Sequence, residues 1–153
     1  MADTALTDAK GRLAYEVAAA GGNSDLIVVP MSAMDADATF EDGYADFFLS
    51  TVLGAAGNTE QVGSTWARKV HTNANITGPT ADDTNDLVRV ILDNDDTWSA
   101  VAASNNTVAL LICIDGASDA VREVIGKWDF AVTTDGNDVT ANYDQTNGIW
   151  TAA

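Results

Sequence analysis

The chain has 153 residues, of which 46% are hydrophobic, and its 23 acidic side chains against 7 basic ones give a formal net charge of −16. A chain this long holds one domain around one core, and an exterior this negative repels phosphate backbones, which excludes nucleic-acid binding by simple charge neutralisation. No apolar run approaches the ~20 residues that cross a bilayer, so no membrane partner is expected.

The single cysteine, Cys113, rules out an intramolecular disulfide, and no basic-then-apolar leader opens the chain, so secretion is not expected. The sequons at Asn75-Ile76-Thr77 and Asn105-Asn106-Thr107 are then incidental. Among the acids 19 are Asp and 4 are Glu, while Lys10, Lys69 and Lys127 are the only lysines. This balance fits adaptation to salty surroundings, where screening relieves repulsion between carboxylates. The expected result is an unfolding midpoint that rises between low and molar salt; an unchanged midpoint would contradict it.

Residues 4–20 predict a helix. Thr4 or Thr7 caps it, Leu6, Leu13 and Val17 form an apolar stripe, and Gly21-Gly22 ends it. Such a stripe serves either as packing over the domain's own edge or as an arm docked on a neighbouring subunit. Leu26 to Val29 reads as a buried strand closed by Pro30, and Ser32 to Thr39 as a polar connection. Within Phe40 to Val52, the spacing of Tyr44, Phe47, Phe48 and Val52 predicts a short helix ending at Gly54. Gly54 to Ser64 reads as an exposed loop.

Trp66 to Thr72 and Leu87 to Leu92 predict strands separated by turn chemistry at Gly78 to Asp83, and Trp98 to Val101 follows an acidic turn at Asp93 to Asp96. Val108 to Ile114 is the strongest signal in the chain. Seven consecutive apolar residues between Asn105-Asn106-Thr107 and Asp115-Gly116 fit a central strand buried on both faces. Cys113, set among aliphatics there, is expected to behave as a small hydrophobe. Ser118 to Ile125 fits a helical turn or an extended connection. Trp128, Phe130 and Val132 alternate with polar or small residues, which predicts a strand with one wet face. Asp135 to Asp138 then turns the chain into a hairpin partner at Val139 to Tyr143, and Asn147-Gly148 turns it again before Ile149 to Thr151. This rhythm predicts a mainly β fold, an antiparallel β-sandwich of jelly-roll or immunoglobulin-like type. A single domain would then comprise an arm at 1–22 and a sandwich at 25–153.

Catalytic chemistry is sparse. His71, the only histidine, stands among Arg68, Lys69 and Thr72 and reads as an exposed strand residue without a partner. Arg68-Lys69 with His71 reads as local charge balance. Gly54-Ala55-Ala56-Gly57 lacks the Lys-Ser/Thr of a phosphate loop, and zinc lacks its ligands. The acidic clusters Asp82-Asp83 with Asp86, Asp93 to Asp96, and Asp135 to Asp138 do not follow the order of a calcium loop and read as solvated turns. Trp66, Trp98, Trp128 and Trp150 could form carbohydrate platforms only if exposed, whereas aromatic strand residues mostly pack inward. No catalytic, cofactor-binding or metal-binding residue is assigned, and no cofactor is expected.

The order of Trp66-Ala-Arg68, Asn75-Ile-Thr77, Asp82 to Asp86, Asp96-Thr-Trp98-Ser-Ala-Val101, the apolar strand, Thr134 to Val139 and Ile149-Trp150 resembles a group of small tailed-phage virion proteins. So do Ala9-Lys10-Gly-Arg-Leu13, Asp25 to Val29 and Phe48-Leu49-Ser50. The likeness covers most of the chain, and the order of its motifs carries it. Asp115 to Lys127 departs from the pattern, with Ala120 to Ile125 in place of a Gly/Thr/Ser-rich hairpin. The resemblance implies a structural virion protein, and among these a capsid decoration (cement) protein on the outer surface of a tailed-virus head. Its partner would be the major capsid protein lattice. It would also form a homo-oligomer, a trimer by analogy with symmetric capsid sites, and use residues 1–22 and the Gly54 to Ser64 loop for contact. The alternative it implies is a tail component, a tube or baseplate-associated β domain.

Overall fold

The run from Val108 to Ile114 lies between two other strands, as a segment apolar on both sides requires. The structure, a computed structural model, describes residues 4–5, 25–42, 44, 46–82, 87–146 and 150–152. In chain order these form β1 (Thr4–Ala5), β2 (Leu26–Ala33), α1 (Asp37–Asp42), α2 (Leu49–Gly54), β3 (Thr59–Glu60), β4 (Lys69–His71) and a 3-10 turn (Asn73–Asn75). There follow β5 (Ile76–Asp82), β6 (Leu87–Leu92), β7 (Asp96–Trp98), β8 (Thr107–Ile114), β9 (Glu123–Val132), β10 (Val139–Ala141) and β11 (Trp150–Ala152). The fold is therefore mainly strands in antiparallel sheets with few helices. The largest sheet runs β1-β9-β8-β2-β3, with β4 also pairing β2; β7 and β10 form a ribbon, and β5, β6 and β11 a third sheet.

Register assigns side chains to the two faces of the large sheet, because residues directly opposite in antiparallel strands point the same way. Ile27 lies opposite Cys113 and Val70, Val29 opposite Leu111, and Leu111 opposite Lys127, so these share one face. Asp37 of α1 reaches Lys127 on that face. Leu26 lies opposite Ile114 and His71, Val28 opposite Ile112 and Lys69, and Leu110 opposite Trp128, on the other face. That second face meets the β7–β10 ribbon through His71 to Asp96, Lys69 Nζ to the Thr97 carbonyl, and Trp128 against Tyr143. One continuous core results, with Leu26, Val28, Leu111, Val52, Val90 and Leu92 fully buried.

Several sequence expectations need correction. Thr4 and Ala5 form a strand on the edge of β9 and not the start of a helix; the rest of the predicted helix lies outside the described residues. Pro30 does not end its strand, since β2 runs to Ala33 with Pro30 opposite Leu110. Its missing N–H is tolerated because its carbonyl, and so the absent donor beside it, faces the other neighbour, where Gln61 N donates to it between the β4 and β3 pairings.

The helix expected over Phe40 to Val52 is two short helices. The chain is extended at Phe48, which bridges to Glu123, and Phe40, Tyr44 and Phe47 cluster edge to face at about 6 Å between centroids. Gly78 to Asp83 is not simply a turn, because β5 reaches Asp82 and absorbs Gly78-Pro79 in a register shift between Thr77 and Thr80. Ser118 to Ile125 is both things the sequence allows, a turn at 118–121 leading into β9. Finally, β10 pairs β7 and not the preceding strand. Its turn is tied there by Gly136 N to the Val101 carbonyl, Val101 N to the Asn137 carbonyl and Ala100 N to Asp138 Oδ1. Gly136 adopts φ +102°, which a side chain would resist.

Candidate functional site

His71 is buried, 3% exposed, which corrects its reading as an exposed strand residue. Alternation along β4 turns it to the second face of the sheet, where its Nε2 lies 3.1 Å from Asp96 Oδ2. Tyr143, just past β10, donates its hydroxyl to the same oxygen at 2.6 Å, and its ring stands edge-on to His71 at 5.7 Å. The neighbouring Asp95 accepts from Tyr143 N. Burial and the adjacent Asp96 and Asp95 charges push the Tyr143 phenol well above its ordinary value, so it remains a neutral donor. One carboxylate oxygen thus serves two donors from two sheets. The arrangement has the form of a base with its orienting acid, and it bridges the large sheet and the ribbon.

The first face carries a chain of alternating charges. Arg68 donates to both Glu60 oxygens at 2.7 and 2.6 Å and to both Asp119 oxygens at 2.6 and 2.9 Å. Arg122 continues the chain to Asp119 at 2.7 Å and Asp115 at 2.9 Å. Leu49 N donates to the Arg122 carbonyl and Ser50 N to the Asp119 carbonyl, so the start of α2 is fixed to the same loop. The expected local charge balance at Arg68 is therefore present, and it reaches across β3, β4 and the 115–122 loop.

The Arg68 hydrogen bonds, with Arg122 adding to them, hold the Asp119 carboxyl down at about 2 against its ordinary 3.8. A depressed folded-state value stabilises the fold above the ordinary carboxylate range, and that stability is lost as pH falls through the folded value. Acid titration of stability should therefore show a component lost from about pH 4 towards pH 2. Arg68→Met should shrink it to the part that Arg122 sustains, and an identical acid limb in that variant would contradict the assignment. Cys113 lies on the same face, completely buried, and desolvation raises its thiol far above the ordinary value. Folded protein should leave a thiol reagent such as DTNB unreacted over hours while denatured protein consumes one equivalent; rapid reaction in the fold would overturn this.

Lys127 is a further buried charged group, one whose burial sequence reasoning passed over. It is 2% exposed, its Nζ pairs with Asp37 Oδ1, and Asp129 Oδ1 lies 3.9 Å away. A cavity of about 460 Å³ opens beside it, lined by Ser32, Met34, Ala36, Val108, Lys127 and Asp129. The signal in the sequence was parity: Lys127 and Asp129 fall on the side of β9 that period-two alternation marks as wet, yet α1 covers that side.

The loop at Gly54 to Ser64 contains β3, a buried Asn58 and an exposed Val62. Ser64, Ala100 and Ser104, in loops joined by Ser64 Oγ to Ala102 N, all have left-handed backbone. Trp66 and Trp98 are buried and Trp128 packs against the core, so none of these is an exposed platform; Trp150's side chain lies outside the described residues. Among the acidic clusters, Asp96 serves His71 and Tyr143, Asp135 and Asp138 bond within or beside their own turn, and residues 83–86 lie outside the described residues. Among the described residues, no three His, Cys, Asp or Glu side chains converge as metal ligands. No family model, curated protein or solved structure matches the chain.

Proposed function

We propose that the chain is a structural protein of a tailed-virus particle, a decoration protein bound to the major capsid protein lattice on the outside of the head. The observation that supports this most is what the described basic and histidine side chains do. Arg68, Lys127 and His71 each join separate elements of the fold, Arg122 ties the 115–122 loop to itself, and Lys69 donates to the Thr97 carbonyl over the Trp98 ring. Cations and acids used in this way stiffen a small β domain and leave a strongly acidic exterior, suited to a protein that resists precipitation until it meets its lattice site. A sandwich of jelly-roll or immunoglobulin-like type is the architecture that goes with this reading.

Adhesion would then come from apolar and hydrogen-bonded contacts, since the charge of −16 supplies no general attraction to an acidic particle. Mass spectrometry of purified particles of the virus that encodes the chain is the test. Recovery of the chain in fixed proportion to the major capsid protein supports the proposal, and its absence from intact particles refutes it. Recovery only with detached tails would replace it with a tail component.

A further inference from the structure

The charge network on the first face is flanked by two of the large apolar side chains that the fold leaves in solvent. Among the described residues the exposed large hydrophobics are Phe48, Val62, Val70 and Val121, at 39, 72, 53 and 54% exposure. Lys69 and His71 turn towards the ribbon, so alternation sends Arg68 and Val70 to the opposite side, that of the network. Val121 stands between Asp119 and Arg122. Phe48 lies opposite Glu123, itself opposite Ile114, and so belongs to the other face. Val70 and Val121 are thus on, or directly beside, members of the network.

Charge identifies the occupant of this face. Arg68 and Arg122 stand against Glu60, Asp115 and Asp119, so the network is close to neutral on a chain whose formal charge is −16. A basic partner would be drawn to the acidic remainder of the surface. An equally acidic molecule is repelled there and approaches most easily where the charges cancel. The network also alternates in sign, so a neighbouring network can offer an acid to each arginine and an arginine to each acid. We propose that this face, centred on Arg68, Val70, Val121 and Arg122, is where a second copy of the chain docks. The contact has the anatomy of a protein interface, with arginines and exposed apolar side chains at the centre. It does not depend on the particle assignment, because free protein suffices to test it.

The experiment is sedimentation velocity of the purified chain over a concentration series, in low and in molar salt. Wild type should associate, more strongly in high salt as the remaining acids are screened. Val121→Asp and Val70→Asp should each weaken the association constant by about tenfold or more, while Thr140→Asp on the exposed ribbon should not. Circular dichroism establishes that each variant folds. Should either fail to fold, hydrogen exchange on wild type replaces it: amides at 117–122 should gain protection with concentration. A wild type that stays monomeric in both salts, association unaffected by both aspartates, or exchange at 117–122 independent of concentration would each overturn the proposal.

Discussion

Asp96→Ala is expected to destabilise the fold by about 3–5 kcal/mol, read as a fall in the midpoint of guanidinium unfolding with little change in slope. Removing the carboxylate leaves the Tyr143 hydroxyl and the His71 ring N–H without their acceptor, in a site where His71 is 3% and Asp96 7% exposed. Each buried donor left without a partner costs about 1–3 kcal/mol. Asp96→Asn keeps an acceptor of the same shape and should lose about half as much. Tyr143→Phe leaves the His71 contact in place and should cost about 1–3 kcal/mol. Small domains hold about 5–15 kcal/mol in total, so Asp96→Ala should bring this one close to its threshold. A loss below about 1 kcal/mol for Asp96→Ala would show that the cluster does not clamp the two sheets.

The second large effect is expected at Trp98. Its ring is 1% exposed, lies 4.6 Å from the Trp66 centroid and 6.4 Å from that of Phe130, and carries Lys69 Nζ at 5.3 Å. Its indole N–H donates to the Ala67 carbonyl at 2.8 Å. Trp98→Ala opens a cavity between the ribbon and the large sheet and should cost about 3–5 kcal/mol. Trp98→Phe keeps most of the volume but orphans the Ala67 carbonyl, and should cost less. Denaturant unfolding followed by circular dichroism checks both. A near-neutral Trp98→Ala, or glycan binding that depends on Trp98, would place this ring on the surface and refute its assignment to the core.

What the sequence made legible follows from which interactions are local. The β8 strand was legible because seven apolar residues between turn residues have few other solutions, and Cys113 is buried there as its neighbours imply. The sides of β9 at Trp128 and Phe130 followed period-two alternation in the same way. The failures arise where a distant element decides. His71 sits in an open-looking basic stretch, and its acceptor is 25 residues away on β7. The β10 strand was placed beside its sequence neighbour, but the bonds from 135–138 to 100–101 carry it to β7. Pro30 reads as a strand end in isolation and is accommodated only because β4 and β3 leave a gap opposite it. The ion network could not be read from spacing, since Arg68 and Asp119 are 51 residues apart. Its one local sign was Arg122 three residues after Asp119.

The most direct test of the proposed role is co-sedimentation of the purified chain with empty heads, and separately with isolated tails, in low and high salt. The account predicts saturable binding to heads, none to tails, and persistence in high salt, because contacts that bury apolar surface are not screened away. Binding to tails alone, or to neither, would contradict it.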